Sequence, residues 1–158
     1  MLSAQALKKI DYEIKKYPVD QKRSAVMSAL AIAQDEKGWL ANETMDFIAE
    51  YLGMSPVAVY EVATFYNMYN LQPLGKYKLT VCTNLPCGLS GGIDAAAHLK
   101  RKLGIDFNQT TADKKFTLKE GECMGACGDA PVLLVNNKRM CSFMSNEKID
   151  QLLEELSK

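Results

Sequence analysis

Apolar residues recur at helical spacing through the first half of the chain and alternate through much of the second. Leu7, Ile10, Ile14 and Tyr17 share one helical face, Ser3 offers an N-cap and Pro18 a stop, so an amphipathic helix is expected over residues 3–17. A second is expected to start at Asp20, carry Val26, Leu30 and Ala33 inward and end at Gly38, with Trp39 and Leu40 packing in the joint that follows. Asn42 reads as the cap of a third helix, in which Met45, Ile48 and Leu52 share a face and Gly53 closes the C-terminus. Ser55-Pro56 then suits the N-cap and first residue of a fourth, running through Val59, Val62, Ala63 and Tyr66.

Past Gly75 the period changes. Tyr77–Val81 alternates as a strand, residues 93–103 read as a helix closed by Gly104, and a polar connection over residues 106–115 leads to a second strand at residues 116–120. The apolar run Pro131–Val135 suits a buried strand, Asn136-Asn137 a turn, and residues 139–143 a further strand on which Cys141 and Phe143 share one face. Ser145 can cap a last helix that turns Ile149, Leu152, Leu153 and Leu156 inward. The pattern therefore predicts an α+β chain: an N-terminal helical bundle segment over residues 1–74, joined at Gln72-Pro73-Leu74-Gly75 to an α/β unit over residues 75–158. The aromatic stretch Phe65–Leu71 just before that joint is expected to be core between the two parts, with a protein-protein anchor as the alternative.

Composition narrows the function. Nineteen basic residues balance nineteen acidic ones, which removes any bias toward nucleic acid or anionic lipid. The stretch from Pro56 to Tyr69, which occupies the place of a recognition helix in a helix-turn-helix outline, holds Glu61 and neither Lys nor Arg, so its chemistry argues against DNA binding. With no apolar run of signal-peptide or bilayer-spanning length, the expected compartment is the cytoplasm, with no direct membrane insertion. In a reducing compartment, clustered cysteines read as metal ligands or redox groups rather than disulfides.

Four of the five cysteines form two close pairs: Cys82 with Cys87, and Cys123 with Cys127, separated by 35 residues. Each pair lies in a glycine-bearing loop, which is what a four-thiolate metal site needs. Zinc and a two-iron cluster are both compatible with these spacings, although structural zinc favours the tighter Cys-x2-Cys knuckle. A Rieske centre needs two histidines, and the chain has only His98, which reads as an ordinary boundary histidine. Thioredoxin-type exchange needs Cys-x-x-Cys, which is absent, and Cys141 reads as a buried apolar side chain. Gly88, Gly91, Gly92, Gly125 and Gly128 are expected to let the backbone approach sulfur and turn N–H groups toward it, while the helix beginning near Ile93 offers its positive end. Glu120, Glu122, Asp94 and Asp129 lie close in sequence, with no Lys or Arg from Leu79 to Leu99 or from Glu120 to Asn137. Adding an electron to so acidic a site is unfavourable, so the expected potential is low, about −400 mV for a plant-type two-iron centre.

Taken with Glu61-Val62-Ala63-Thr64-Phe65-Tyr66 and Gly121-Glu122-Cys123-Met124-Gly125-Ala126-Cys127, the two cysteine spacings resemble the 24 kDa (E-type) subunit family of respiratory NADH:quinone oxidoreductase, complex I, over nearly the whole chain. That resemblance implies a thioredoxin-like domain holding one [2Fe-2S] cluster on Cys82, Cys87, Cys123 and Cys127. It also implies a partner, the flavoprotein subunit that carries FMN and NADH, in the peripheral arm on the cytoplasmic side of a bacterial inner membrane. The chain has no dinucleotide fingerprint of its own, in keeping with that division of labour. The helical segment is then the docking part. Equivalent diaphorase subunits of NAD-reducing hydrogenases and formate dehydrogenases share the motif, and a zinc-stabilised interaction module is the competing class.

Overall fold

A computed structural model describes all 158 residues, which divide into two compact units, Met1–Pro73 and Leu74–Lys158. No helix in either unit is long and apolar enough to cross a membrane.

The first unit is built from four α-helices: α1 (Ala4–Ile14), α2 (Val26–Lys37), α3 (Asn42–Leu52) and α4 (Pro56–Phe65). Ser3 caps α1 by accepting from the Ala6 N–H, and its own hydroxyl and N–H both donate to Glu36 in the last turn of α2. The helix stops at Ile14, short of the expected Tyr17, because Lys16 and Tyr17 tighten into bonds to Glu13 and Ile14, three residues back. The expected start of the second helix at Asp20 is likewise corrected. Residues Val19–Ala25 form a 3-10 segment, and no apolar side chain between exposed Val19 and buried Ala25 is available to hold a full α-turn against the core. Ala41, not Asn42, takes the extended N-cap position of α3: Leu40 is fully buried and its N–H bonds to Asn70 O, so burial sets the register ahead of the capping side chain. Ser55 and Pro56 open α4 as the sequence suggests, and Gly38 and Gly53 close α2 and α3 in the left-handed conformation. Ile10, Leu30, Leu40, Met45, Ile48 and Val59 form the core.

The aromatic stretch divides. Tyr69 is buried and its hydroxyl donates to Met27 O at 2.9 Å, while the Gln34 side chain grips the backbone at Met68 and Asn70. Tyr66 lies beyond the end of α4 in extended backbone, and Phe65, Tyr66 and Met68 are exposed, so those three are not core.

The second unit is a mixed five-stranded sheet of order β2-β3-β1-β4-β5, made by β1 (Tyr77–Cys82), β2 (Gln109–Thr110), β3 (Phe116–Gly121), β4 (Leu133–Val135) and β5 (Arg139–Cys141). Strands β1 and β3 are parallel and the other pairs antiparallel. Two elements are absent from the sequence pattern: β2, a two-residue strand, and α5 (Leu85–Leu89), a single short helix where a loop is expected. Helices α6 (Gly92–Leu103) and α7 (Asn146–Ser157) supply Ala95, Leu99, Ile149 and Leu152 to a core shared with Leu79, Val81, Leu118 and Leu133. Asn136 and Asn137 make the β4–β5 turn with φ of 51° and 58°, the left-handed pair a type I′ hairpin demands. Past Cys141 the expected strand ends: Phe143 adopts φ 53° and its N–H bonds to Asp129 O, so Cys141 and Phe143 do not share a strand face.

Candidate metal centre

Parallel pairing decides where the cysteines meet. In the β1–β3 register Cys82 lies opposite Gly121, so the two strands end at the same level and both cysteine segments leave from one end of the sheet. From β1 the chain turns through Thr83 and Asn84 into α5, which carries Cys87; from β3 it runs through Glu122 to Cys123 and a 3-10 turn at Cys127–Asp129. Side chains tie the two exits together. Thr83 Oγ1 donates to Glu120 Oε1 at 2.6 Å, and Asn84 Nδ2 to Glu122 Oε2 at 3.0 Å. The Cys82 N–H bonds to Val132 O at 3.2 Å, which fixes the first pair against the start of β4.

The thiols stand as two pairs. Cys123 Sγ and Cys127 Sγ are 3.8 Å apart. Two thiolates bound at about 2.3 Å to one tetrahedral metal subtend about 3.8 Å, so this pair is already at the bite of a single metal atom. The Cys82 thiol lies within electrostatic reach of both Cys87 and Cys127. Burial, then the bond with Cys82, pushes the Cys87 thiol up; the bond with Cys123 does the same for Cys127. Each pair thus holds protons that a metal displaces on binding. That donor set, soft and all sulfur, fits a two-iron cluster.

Backbone groups complete the surroundings. The Gly125 N–H donates to Cys123 Sγ at 3.4 Å from a left-handed residue of φ 72°. A β-carbon at Gly92 would sit 2.8 Å from the carbonyl oxygens of both Cys82 and Cys87, so only glycine lets α6 begin this close to the first pair. Gly121 is equally tight, with Thr80 Cγ2 and Met124 Cε within 2.7 Å of such an atom. Gly88 and Gly128, by contrast, have ordinary or open surroundings, so no steric contact demands glycine there. Cys82 and Cys87 are buried while Cys123 and Cys127 are exposed, which leaves the centre open on the second loop's side.

His98 and Cys141 stand apart from these pairs. His98 Nε2 is 2.8 Å from Asp150 Oδ1, joining α6 to α7, and that bond, with Lys102 beside it, holds the Asp150 carboxyl below its ordinary range. Cys141 is half-buried against the sheet core, its thiol pushed up by burial. Sequence reasoning missed Thr83, Asn84 and Gly121, although two small polar residues after one strand and two glutamates about the end of its parallel neighbour are the signal that the loops are pinned to each other.

The model of the thioredoxin-like [2Fe-2S] ferredoxin family matches residues 10–157. The E-type subunit of NADH-quinone oxidoreductase from Rickettsia felis is 45% identical over 145 residues, covering 91% of this chain and 86% of that protein. The mitochondrial NADH dehydrogenase [ubiquinone] flavoprotein 2 of Dictyostelium discoideum is 40% identical, over 83% of this chain and 53% of its own length. Among solved structures, an NAD+-reducing [NiFe]-hydrogenase in the H2-reduced state superposes with a TM-score of 0.69 at 22% identity, over 81% of this chain and 22% of that one, a likeness of fold. The chain therefore belongs to the thioredoxin-like [2Fe-2S] ferredoxin family and, within it, to the E-type subunits of NADH-quinone oxidoreductase.

Proposed function

We propose that Cys82, Cys87, Cys123 and Cys127 hold the family's [2Fe-2S] cluster, and that the chain is the one-electron carrier beside the FMN of an NADH-binding flavoprotein subunit in complex I. The observation that carries this is the pair of chelating thiol sets delivered to one end of the sheet by two parallel strands, the exposed set already at 3.8 Å. When bound, the cluster supplies one-electron redox chemistry at a potential set by charge and hydrogen bonding around its sulfurs. This chain's residues then have distinct tasks. The four thiolates ligate, the Gly125 N–H stabilises charge on Cys123 Sγ, and Gly92 admits the first turn of α6 against the buried pair. Glu120, Glu122, Asp94 and Asp129, with no Lys or Arg in either cysteine segment, oppose added negative charge and keep the potential low.

The helical unit, residues 1–74, is the docking part, and the assembly lies in the peripheral arm on the cytoplasmic side of a bacterial inner membrane. Relatives at 40–45% identity are respiratory subunits, which favours complex I over a hydrogenase or formate dehydrogenase, since the hydrogenase likeness at 22% identity speaks for fold alone. Anaerobic purification with iron and zinc analysis, followed by electron paramagnetic resonance after dithionite reduction, tests the assignment. About two irons per chain and a spin-half signal are expected, with the signal lost on Cys→Ser change at any of the four positions. One zinc and no signal would make this a structural metal domain.

A further inference from the structure

The stretches around the cysteines that lack Lys and Arg each begin just after a lysine. Going back along the chain from Cys82 and from Cys123, the first cations met are Lys78 and Lys119. Alternation along β1 puts Lys78, Thr80 and Cys82 on one face of the sheet, since Leu79 and Val81 turn into the core shared with α6 and α7. The parallel register sets Thr117, Lys119 and Gly121 of β3 opposite those three. Two contacts confirm the face: a β-carbon on Gly121 would meet Thr80 Cγ2 at 2.6 Å, and Lys78 feels the charge of Lys119. A polar column therefore runs down β1 from a buried ammonium, through a threonine hydroxyl, to the first cysteine.

Lys78 is the unusual member of that column, at 3% exposure. Lys119 is only half-buried, and its Nζ donates to Asn108 Oδ1 at 2.9 Å. Glu120 alternates to the other face and bonds to Thr83. Strand β4, on the opposite flank of β1, brings no charged side chain, and Lys76 lies exposed over the Tyr77 ring. Burial and then the charge of Lys119 bring Lys78 down to about 8, so its ammonium is close to giving up a proton. Its position makes it responsive to charge at the cysteines. Four strand residues separate Lys78 from Cys82, about 13 Å, and one charge at that distance moves a pKa by about one unit at an effective dielectric constant of about 20. Salt screens so enclosed a group weakly. An electron added at the cysteine site therefore raises the proton affinity of Lys78 about tenfold.

We propose that Lys78 is the proton acceptor coupled to reduction of this centre: as one electron arrives from the donor, Lys78 Nζ takes one proton from solvent and passes from amine to ammonium, and on oxidation it returns that proton. The inference rests on the cluster ligation proposed above. The test is an anaerobic redox titration of the full-length, cluster-loaded chain, followed by paramagnetic resonance at steps from pH 7 to about pH 10. The native potential is expected to hold level below about pH 8, to fall by about tenfold in the reduction equilibrium, about 59 mV for one electron, and to level off about one pH unit higher. Lys78→Met should be level throughout, about tenfold harder to reduce than the native chain at pH 7. Lys119→Gln, at a position open to solvent where folding is not at stake, relieves the repulsion on Lys78 and should move the fall to higher pH. Should Lys78→Met fail to hold its cluster, Lys119→Gln decides. A native potential that does not change with pH, a fall that persists in Lys78→Met, or a fall unmoved in Lys119→Gln overturns the proton coupling and leaves the carrier role standing. Absence of a spin-half signal from the native chain overturns the carrier role and this inference with it.

Discussion

Replacing Lys78 by Met should abolish a rise in the protein's stability between about pH 8 and about pH 10.5. Lys78 is the second residue of β1, between Thr117 of β3 on one side and Asn136 just past β4 on the other, and is 3% exposed. Leu79 and Val81 turn toward α6 and α7, so alternation puts Lys78 on the opposite sheet face with Thr80, whose buried hydroxyl has no hydrogen-bond partner, and near Lys119. Burial, and then the charge of Lys119, pull the ammonium down to about 8 from its ordinary 10.5. Between those values the folded chain binds fewer protons than the unfolded one, so stability rises with pH across the window; the penalty is full below about pH 8 and gone above about 10.5. The interval is 2.5 units, from 10.5 to about 8. At about 1.4 kcal/mol per unit this comes to about 3.5 kcal/mol. At roughly 2–4 °C per kcal/mol for a chain of this size, the Tm of the native protein should gain about 7–14 °C on that of Lys78→Met between pH 7 and alkali. Scanning calorimetry of native and variant holoprotein, anaerobically at neutral and alkaline pH, reads the difference, in which any alkaline effect on the cysteines cancels. A gap between the two proteins that is unchanged from pH 7 to about pH 10 would refute the reasoning by showing that folding does not depress the ammonium.

Gly92→Ala forces a β-carbon to 2.8 Å from two carbonyl oxygens of the first cysteine pair and should cost about 1–3 kcal/mol, seen as a lower Tm and reduced iron content. Ala126→Lys places a cation between Cys123 and Cys127 and should raise the potential by roughly 25–100 mV in a redox titration followed by paramagnetic resonance; no shift would remove charge as the source of a low potential. Ser3→Ala removes the cap of α1 and should cost about 1 kcal/mol in thermal unfolding without changing the iron content.

Helices announced by caps and periodicity are legible in the sequence. Ser3, Ser55 and Ser145 each accept the bond their position suggests, and Asn136-Asn137 turns the hairpin as a pair of left-handed residues should. Errors cluster where packing overrides local chemistry. Burial of Leu40 moves a helix cap from Asn42 to Ala41, and the run from Val19 to Ala25 lacks an apolar anchor and tightens into 3-10 turns. The pairing of cysteines is readable from spacing, but the short helix α5 is hidden: five residues holding a proline and a glycine carry no period, and their conformation is set by the bonds of Asn84 and Thr83 to β3 and its exit. Gly121 is invisible for a related reason, because its need to be glycine comes from Thr80 and Met124, the first of which it meets only in space.

The parallel pairing of β1 with β3 carries a consequence for how the protein matures. These strands are joined through α5, α6 and β2, so their alignment is a long-range event that a growing chain cannot complete until β3 has been made. A nascent polypeptide therefore exposes Cys82 and Cys87 well before Cys123 and Cys127 have a strand to stand on. On the proposed ligation, iron and sulfide delivered early meet half a socket, and oxidants meet an unguarded dithiol. Maturation is thus ordered with topology first and metal second, and the delivery machinery must recognise a sheet already closed rather than a pair of sulfurs in sequence.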